Sequence, residues 1–255
     1  MKTIILCGGF GTRLKEETEF KPKPMIQIGG RPILWHIMKI YAHYGFNEFI
    51  LALGYKGDMI KSYFLNQKTF LNDFTLDVHN DNIEFHTNGC DDFKVTFAET
   101  GLNSLTGERI LRVKKYIGED NFMVTYGDGV SDINVNELVD FHKKQGTVGT
   151  IACFHPYSKY GLVKTNHEKC LATGFDQKPL MPDYVSGGFM VFKNDAFDYF
   201  NNGQMEDGLK KMAENNQLSV FEHRGFWKAM DTYREKEELE ELWKNEKPWV
   251  VWKNK

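Results

Sequence analysis

Residues 6–14 read Leu6-Cys7-Gly8-Gly9-Phe10-Gly11-Thr12-Arg13-Leu14, and residues 21–25 read Lys21-Pro22-Lys23-Pro24-Met25. The apolar run from Thr3 to Cys7 that leads into the glycines is typical of a buried parallel strand. Because glycine lacks a Cβ atom, the loop backbone can adopt positive φ and turn its N–H groups towards an anion or a flat base. The stretch therefore predicts a strand that ends in an anion-binding loop.

Two basic side chains accompany this loop. Arg13 offers a planar, permanently charged fork to phosphate oxygens, and Lys23 offers a compact ammonium group. Pro22 and Pro24 flank Lys23 and restrict its backbone, which favours a fixed catalytic group over a flexible tether. Both cations are expected where a polyphosphate would lie, so a reaction on a nucleotide is the first hypothesis.

The glycine cluster alone allows other interpretations. A Rossmann fingerprint would need a third glycine at the start of the helix, where this chain has Leu14, and a Walker loop would need Gly-Lys-Ser/Thr. A tight turn would explain the glycines, but not Arg13 together with Lys-Pro-Lys-Pro. A nicotinamide-dependent oxidoreductase and a nucleotide-sensing module without turnover remain alternative classes. NAD binding would reveal the first, and pyrophosphate release would exclude the second.

Length and composition indicate one globular domain. The chain has 255 residues, of which 41% are hydrophobic and 14% aromatic, enough to bury a sizeable core. A net charge of −3 gives no basic footprint, so we expect no nucleic-acid partner. Cys7, Cys90, Cys153 and Cys170 lack metal-binding spacing and are expected to be reduced. No signal peptide or transmembrane stretch is evident, so we expect a cytoplasmic protein without a membrane partner.

Strand-like runs alternate with helical patterns, which predicts an α/β fold with a sheet covered by helices. The runs after the first are 48–54, 121–127 and 148–154. Helical spacing follows Pro32 as far as Gly45, and Asn134 is expected to cap a helix that ends near Gln145. Residues 81–112 contain short strand-like runs broken by Asn, Gly and Asp, which predicts a small inserted hairpin and loop lobe.

Two aspartates follow predicted strands. Asp128 ends the run 121–127 between two glycines, and Asp231 follows the run 226–230. A carboxylate at the carboxyl end of a strand, without bulky neighbours, can hold Mg²⁺ and leave coordination positions for water and phosphate oxygens. An Asp-Gly turn is the ordinary alternative for Asp128 alone. The second aspartate shifts the balance towards a metal site.

At these motifs the chain resembles the sugar-nucleotide pyrophosphorylases, a family of sugar-phosphate nucleotidyltransferases whose signature is Gly-Gly-x-Gly-Thr-Arg-Leu, a spacer and Pro-Lys-Pro. The resemblance extends through residues 26–38, Tyr126-Gly127-Asp128-Gly129 and residues 225–232, almost the whole chain. It implies one nucleotidyltransferase domain over residues 1–255, with a Rossmann-like three-layer sandwich and a mixed, mostly parallel sheet. The chain is most similar to the members that join CMP from CTP to glucose 1-phosphate, which implies CDP-glucose and pyrophosphate as products.

The resemblance also assigns site residues. It implies that Arg13, Lys23, Asp128 and Asp231 are catalytic, and that the two aspartates share one Mg²⁺ ion as the cofactor. It implies nucleotide contacts for Leu6, Cys7, Gly8, Gly9, Phe10, Gly11, Thr12, Arg13, Lys23, Ser104, Arg109 and Asp128. Without the family, Arg109 would be interpreted as a solvated helix residue among other basic groups. A homo-oligomer such as a hexamer is a further implication.

The acceptor side departs from the family at two positions. Phe175-Asp176-Gln177-Lys178-Pro179 resembles an element whose lysine approaches the sugar phosphate, but Gln177 stands where glutamate is usual. Ser186, before Gly187, stands where asparagine is usual. The resemblance implies that Gln177, Lys178, Ser186 and Gly187 bind the acceptor. The two changes leave open a cytidylyltransferase for a different sugar or polyol phosphate.

Other conspicuous side chains favour structural interpretations. Trp243, Trp249 and Trp252 are expected to dock on the domain's own core or on a neighbouring subunit. The charged run 234–241 is expected to be the solvated face of a final helix. Several histidines lack the spacing of metal ligands and are expected to be ordinary hydrogen-bonding residues: His79, His86, His155, His167 and His223.

Overall fold

The computed structural model describes residues 1–158 and 160–252. The strands are β1 (Lys2–Leu6), β2 (Gln27–Ile28), β3 (Arg31–Pro32), β4 (Glu48–Leu53), β5 (Phe74–Asp77), β6 (Asn82–Phe85), β7 (Lys94–Glu99), β8 (Phe122–Tyr126), β9 (Gly129–Ser131), β10 (Gly149–Phe154), β11 (Leu162–Asn166), β12 (Leu171–Asp176), β13 (Val185–Phe192), β14 (Leu218–His223) and β15 (Trp227–Ala229). The helices are α1 (Lys15–Thr18), α2 (Ile33–His43), α3 (Gly57–Leu71), α4 (Thr106–Ile117), α5 (Val135–Gln145), α6 (Met205–Glu214) and α7 (Tyr233–Asn245). Short 3₁₀ helices lie at Thr12–Leu14, Lys23–Met25 and Asn194–Asp198. Within the described residues, none of the helices has the length and apolarity needed to span a bilayer.

A seven-stranded sheet forms the centre of the described chain, with the strand order β14-β10-β13-β8-β1-β4-β7. β1 runs parallel to β4 and β8, β4 runs parallel to β7, and β10 runs parallel to β14. β13 is antiparallel to both of its neighbours, β8 and β10. The predicted mixed, mostly parallel sheet is confirmed.

Side chains of β1 alternate between the two faces of the sheet and so contribute to two separate cores. Ile5 belongs to a buried cluster with Ile37 of α2 and Leu138 of α5. Ile4 belongs to a second cluster with Ile110 of α4. Helices therefore cover both faces of the sheet, which confirms the three-layer α/β architecture.

Local signals set several of the predicted boundaries. α2 begins directly after Pro32, and the chain leaves it through Gly45 with a φ of 88°. The side-chain oxygen of Asn134 accepts hydrogen bonds from the N–H groups of Asn136 and Glu137 at 3.1 and 3.2 Å. The predicted cap of α5 is therefore confirmed, and the helix ends at Gln145 as expected.

The segment 81–112, expected as an inserted lobe, lies partly in the central sheet. β5 and β6 form a hairpin outside that sheet, and its first strand begins at Phe74, before the expected segment. β7 instead pairs in parallel with β4 as an edge strand, and α4 buries Ile110 and Val113 in the core. β7 is mostly half-exposed, so its sequence lacks the continuous apolar run that marks a central strand.

The tryptophan-rich tail docks on the domain's own core, the first of the two predicted arrangements. Trp249 is fully buried and Trp252 is 7% exposed. The indole N–H of Trp249 donates a hydrogen bond to Nδ1 of His36 at 3.3 Å, and the ring of Trp243 lies 4.8 Å from the His36 ring. Leu239 of α7 is fully buried, so the final helix packs its apolar side against the core.

Candidate active site

A cleft opens beside the carboxyl ends of β1 and β8, with a volume of about 370 Å³. Parallel neighbours deliver their carboxyl ends to one edge of a sheet, which is where ligands bind in open α/β folds. The cleft is lined by every residue for which a nucleotide contact was predicted: Leu6, Cys7, Gly8, Gly9, Phe10, Gly11, Thr12, Arg13, Lys23, Ser104, Arg109 and Asp128. The sequence motifs therefore converge on one cavity.

The glycines of the loop are required by packing and by backbone conformation. A Cβ atom on Gly8 would lie 2.1 Å from Nη1 of Arg109, so no side chain fits there. Gly11 has a φ of 64°, which L side chains rarely adopt. The hydroxyl of Thr18 donates a hydrogen bond to the Gly11 carbonyl at 3.1 Å and so fixes this turn. The predicted glycine-rich turn after β1 is confirmed.

Arg109 is buried in the wall of the cleft, with 3% exposure. Its guanidinium donates hydrogen bonds to the hydroxyl of Thr100 and to the carbonyls of Leu53, Gly101, Gly8 and Leu102, at distances from 2.7 to 3.2 Å. The interpretation of Arg109 as a solvated helix residue is therefore wrong. Its donors tie the glycine loop to the loop that precedes α4, so it holds two walls of the cleft together.

Lys23 reaches the cleft from the 3₁₀ turn Lys23–Met25. Pro24, which follows it, is buried against Gly127, where an added Cβ atom would lie 2.9 Å from the proline ring. The ammonium nitrogen of Lys23 lies 2.5 Å from Oδ2 of Asp128 and 2.6 Å from Oδ1 of Asp231. The lysine is 11% exposed and is held between the two carboxylates.

A two-stranded ribbon brings Asp231 next to Asp128. β15 pairs antiparallel with β9, and Ala229 lies opposite Gly129. The N–H group of Met230 then donates a hydrogen bond to the carbonyl of Asp128 at 2.9 Å. The two predicted aspartates are therefore placed together by strand pairing, although they are far apart in the sequence.

The start of α7 fixes the backbone of Asp231. Its N–H group and that of Thr232 each donate to Oε2 of Glu235 at 2.9 Å, in a capping box. The side chain of Asp231 is also paired. Its Oδ1 contacts Lys23, and its Oδ2 lies 2.9 Å from Nη1 of Arg13. The Arg13 side chain is 73% exposed, so it can reorient without disturbing the core.

Two cations and two anions meet at this point, and the formal charges of Arg13, Lys23, Asp128 and Asp231 cancel. Burial opposes the charge of Lys23, but the carboxylates of Asp128 and Asp231 outweigh burial and raise the pKa of Lys23 above its ordinary value. Lys23 is therefore a cation at neutral pH. Burial also raises the pKa of the Cys7 thiol, so Cys7 is a structural thiol rather than a nucleophile.

The pair of carboxylates fits a Mg²⁺ ion. Asp128 and Asp231 each place one oxygen within 2.6 Å of the same ammonium nitrogen, so they already converge on a single cationic position. Mg²⁺ is usually held by one or two carboxylates, together with water and substrate phosphates. Across residues 1–158 and 160–252, no group of three or more His, Cys, Asp or Glu residues is arranged to hold a metal. The pair would therefore rely on oxygens from water or substrate to complete a coordination shell.

The predicted acceptor residues lie outside the residues that line the cleft. Ser186 and Gly187 are at the start of β13, whose amino end reaches the same sheet edge as the carboxyl end of β8. The carbonyl of Gly187 accepts a hydrogen bond from the indole N–H of Trp227 at 2.8 Å, which places it beside the β9–β15 ribbon. Gln177 and Lys178 follow β12 and are exposed. The structure therefore brings Ser186 and Gly187 near the ribbon, and leaves Gln177 and Lys178 exposed in the segment that follows β12.

Sequence reasoning missed part of the cleft wall. The additional lining residues are Pro24, Leu102, Asn103, Leu105, Thr106, Tyr126, Gly127 and Gln204. Tyr126 donates a hydrogen bond to Glu206 at 2.5 Å, and Thr106 donates one to Gln204 at 2.9 Å. Tyr126 directly precedes the Gly-Asp-Gly motif and could have been found from it. Gln204 lies in no motif, because it reaches the cleft from the amino end of α6.

A glycine loop at the edge of such a sheet, with a carboxylate pair beside it, is typical of nucleotidyl transferases. The chain belongs to the nucleotidyl transferase family, whose family model matches residues 2–244. It is 41% identical to glucose-1-phosphate cytidylyltransferase of Salmonella typhimurium, over 99% of this chain and 100% of that protein. It is 43% identical to the "Probable glucose-1-phosphate cytidylyltransferase" of Bacillus subtilis, over 99% and 100% of the two chains. The resemblance stated from the motifs is confirmed.

Solved structures show the same fold. A UDP-glucose pyrophosphorylase complexed with UDP-glucose superposes with a TM-score of 0.70 at 17% identity, covering 96% of this chain and 99% of the other. HddC from Yersinia pseudotuberculosis superposes with a TM-score of 0.68 at 21% identity, covering 95% and 99% of the two chains. At these identities the similarity concerns the fold, which confirms the Rossmann-like class.

Proposed function

We propose that this protein transfers CMP from CTP to glucose 1-phosphate, and that it forms CDP-glucose and releases pyrophosphate. The observation that carries the proposal is the position of Lys23 between Asp128 and Asp231 beside a cleft lined by the glycine loop. The full-length similarity to proteins named glucose-1-phosphate cytidylyltransferase supports CTP and glucose 1-phosphate as the substrates.

The reaction needs no general base. A phosphate monoester has a second pKa of about 6, so at neutral pH its oxygen is already a nucleophile. This oxygen attacks the α-phosphorus of CTP in line and forms the new P–O bond. The bond from the α-phosphorus to the bridging oxygen breaks, and pyrophosphate leaves with the electron pair. Because two anions must meet, the protein has mainly to position them and neutralise their charge.

The cations of the site suit these tasks. We assign to Lys23 the stabilisation of charge that builds on the α-phosphate, since its backbone is fixed by two prolines and its ammonium group lies in the cleft. Arg13 is assigned to the departing pyrophosphate, because its exposed fork can leave Asp231 and reach phosphate oxygens. The N–H groups of the glycine loop would face the same phosphates.

Asp128 and Asp231 are the residues that would hold Mg²⁺. When bound there, the ion supplies positive charge that offsets the repulsion between the two substrates. The aspartates themselves keep a fixed separation, because the β9–β15 ribbon and the Glu235 cap hold their backbones. This part of the proposal depends on Asp128, which lines the cleft, and on Asp231, which contacts the cleft residue Lys23.

The remaining predicted residues divide between nucleotide and acceptor. Ser104 lies in the cleft wall and is assigned to the nucleotide. Arg109 shapes that wall through its hydrogen bonds to carbonyls. For the acceptor, we assign Lys178 to the sugar phosphate, and Gln177, Ser186 and Gly187 to the sugar. A homo-oligomer such as a hexamer also remains part of the proposal, and sedimentation velocity tests it.

The decisive experiment measures pyrophosphate release with purified protein and Mg²⁺. CTP, UTP, dTTP, ATP and GTP are each combined with a panel of sugar and polyol phosphates. We expect CTP with glucose 1-phosphate to be the best pair. Release with another nucleotide as the best donor contradicts the assignment of CTP. The absence of pyrophosphate release with every pair favours a nucleotide-binding module without turnover.

A cytidylyltransferase for another sugar or polyol phosphate is the second candidate, favoured by Gln177 and Ser186. Both positions differ from the residues usual in the family, and an altered polar partner can change selectivity by orders of magnitude. We expect Gln177→Glu and Ser186→Asn to raise kcat/KM for glucose 1-phosphate if this candidate is correct. Asp183→Asn is the matched control, because Asp183 is exposed and lies between Gln177 and Ser186 in the sequence. Unchanged ratios of kcat/KM across the acceptor panel would reject the candidate.

A further inference from the structure

Lys23 lies in the position that a metal ion at Asp128 and Asp231 would need. One oxygen of each carboxylate is within 2.6 Å of its ammonium nitrogen. The second oxygen of Asp231 is paired with Arg13 at 2.9 Å. A divalent cation bound between the same oxygens would stand beside this ammonium group, and like charges at such separations repel strongly near a protein surface.

The charges of Arg13, Lys23, Asp128 and Asp231 also disfavour a metal ion that binds alone. Lys23 and Arg13 already pair with the oxygens of Asp128 and Asp231 that a Mg²⁺ ion would use. Mg²⁺ alone would add two positive charges to a site that already has two. A triphosphate, by contrast, offers Lys23 and Arg13 new anionic partners and exposes the carboxylates.

The side chains of Lys23 and Arg13 can both leave the carboxylates and pair with phosphate oxygens instead. The backbone of Lys23 is stiffened by Pro22 and Pro24, but its ammonium group is carried on a flexible four-carbon stem. Lys23 and Asp128 line the same cleft as the glycine loop, so phosphates in the cleft would lie within reach of the ammonium group. Arg13 is largely exposed. The change therefore needs new side-chain positions and no movement of strands.

We propose that Lys23 closes the metal site in the nucleotide-free protein, so that Mg²⁺ enters only together with a nucleoside triphosphate that draws Lys23 away from Asp128 and Asp231. The proposal deepens the function proposed above and rests on it for the identity of the nucleotide. The lysine is then a positioning residue for the metal as well as a partner of the phosphates. Metal and nucleotide binding become mutually dependent as a result.

The test is Mg²⁺ binding to the nucleotide-free protein by isothermal titration calorimetry at constant pH and ionic strength. We expect Lys23→Met to bind Mg²⁺ roughly tenfold or more tightly than the unchanged protein, because one positive charge is removed beside the ion. Lys21→Met is the matched control. Lys21 is two residues away and pairs with Glu17 at 3.1 Å, so this variant should leave Mg²⁺ affinity unchanged. Lys23→Gln repeats the test with a polar side chain, in case Lys23→Met fails to fold.

The double variant Lys23→Met with Asp128→Asn locates the effect. It should lose the gain in affinity, because one carboxylate of the site is gone. Equal Mg²⁺ affinity in the Lys23 variants and the unchanged protein would overturn the proposal, as would a gain that survives Asp128→Asn. The readout needs neither CTP nor glucose 1-phosphate. A gain in Mg²⁺ affinity in the Lys23 variants, with no pyrophosphate release by the unchanged protein, would reject the proposed function alone. Pyrophosphate release by the unchanged protein, with equal Mg²⁺ affinity in the Lys23 variants, would reject this proposal alone.

Discussion

The N–H group of Met230 donates a hydrogen bond to the carbonyl of Asp128 at 2.9 Å. Met230 directly precedes Asp231, so this bond couples the backbones of the two acidic residues. Successive side chains of a strand point to opposite faces, and a slip of one residue in the β9–β15 ribbon would turn Asp231 away from Asp128. The separation of the carboxylates is therefore set by strand register.

Loss of either carboxylate should abolish Mg²⁺-dependent turnover and leave the fold intact. Asp128→Asn and Asp231→Asn keep the side-chain shape but remove the charge that would hold the ion. We expect pyrophosphate release to fall by at least about 10³-fold, the upper range for loss of one fixed electrostatic group. Far-UV circular dichroism and a urea melt check the fold.

Asp140→Asn is the control for these variants, because Asp140 is an exposed residue of α5 that pairs with Lys143. It should retain full activity. Near-normal turnover in either active-site variant would remove the metal assignment from the proposed function.

Arg109→Lys should weaken both the fold and the binding of CTP. A lysine cannot reproduce the fork that bonds the carbonyls of Gly8, Leu53, Gly101 and Leu102, and buried carbonyls without partners cost about 1–3 kcal/mol each. We expect a loss of about 2 kcal/mol or more in the free energy of unfolding. KM for CTP should rise by about tenfold, which is about 1.4 kcal/mol.

Urea unfolding and steady-state kinetics measure the two effects. Arg112→Lys, one turn away and exposed in a pair with Glu108, should change stability by about 0.5 kcal/mol or less. Arg109→Lys with unchanged stability and KM would show that the hydrogen bonds to the two loops have no energetic consequence.

Stability should fall as the pH is lowered through the range where buried histidines resist protonation. Burial lowers the pKa of His36 from 6.5 to about 4. Between these values the unfolded chain binds a proton that the folded protein excludes, so the stabilisation is complete above pH 6.5 and declines towards pH 4. We expect His36 to account for about 2 kcal/mol of the stability lost between about pH 7 and pH 5.

Urea unfolding at the two pH values provides the measurement. His36→Gln should reduce the stability lost between the two pH values by about 2 kcal/mol. Burial also lowers the pKa of His142 to about 4, so His142 should account for a similar share of the remaining loss of stability. His43→Gln, at an exposed position on the same helix, should leave the loss unchanged. An identical loss in His36→Gln and in the unchanged protein would contradict the prediction.

Removal of the buried tail anchor should destabilise the domain. Trp249 is fully buried and bonds His36, so Trp249→Ala leaves a large cavity at a typical cost of about 3–5 kcal/mol. Thermal and urea unfolding measure this cost. Leu65→Ala, at a position of α3 that is 78% exposed, should cost about 0.5 kcal/mol or less. Similar stabilities of the two variants would mean that the tail is not part of the folded core.

Much of the fold and of the nucleotide cleft could be predicted from local signals. Apolar runs marked β1, β4, β8 and β10, and Asn134 marked the start of α5. Lys23 was found because two prolines flank it, whereas the glycine loop and Asp128 were found because each lies at the end of a strand. Such positions meet at one edge of a parallel sheet, so their proximity follows from topology.

Other features depend on contacts that no local pattern contains. β7 carries no such signal, because an edge strand does not need a continuous apolar sequence. The partners of Arg109 are mostly backbone carbonyls, which every residue carries, so its burial could not be read from residue types. Gln204 reaches the cleft through the packing of α6 on α4, a contact between distant parts of the chain. The roles of Gln177 and Lys178 stay predictions, since these residues follow β12 and do not line the cleft.

The ribbon that unites Asp128 with Asp231 also has a consequence for synthesis of the chain. Translation completes the glycine loop, Lys23 and the central strands long before β15 emerges, and domains tend to fold from the amino end. Until Trp227 to Ala229 pair with β9, a nascent chain can hold one carboxylate of the pair but not both. Under the proposed function, catalytic competence is therefore acquired late, and a growing polypeptide that still lacks β15 does not consume nucleotide.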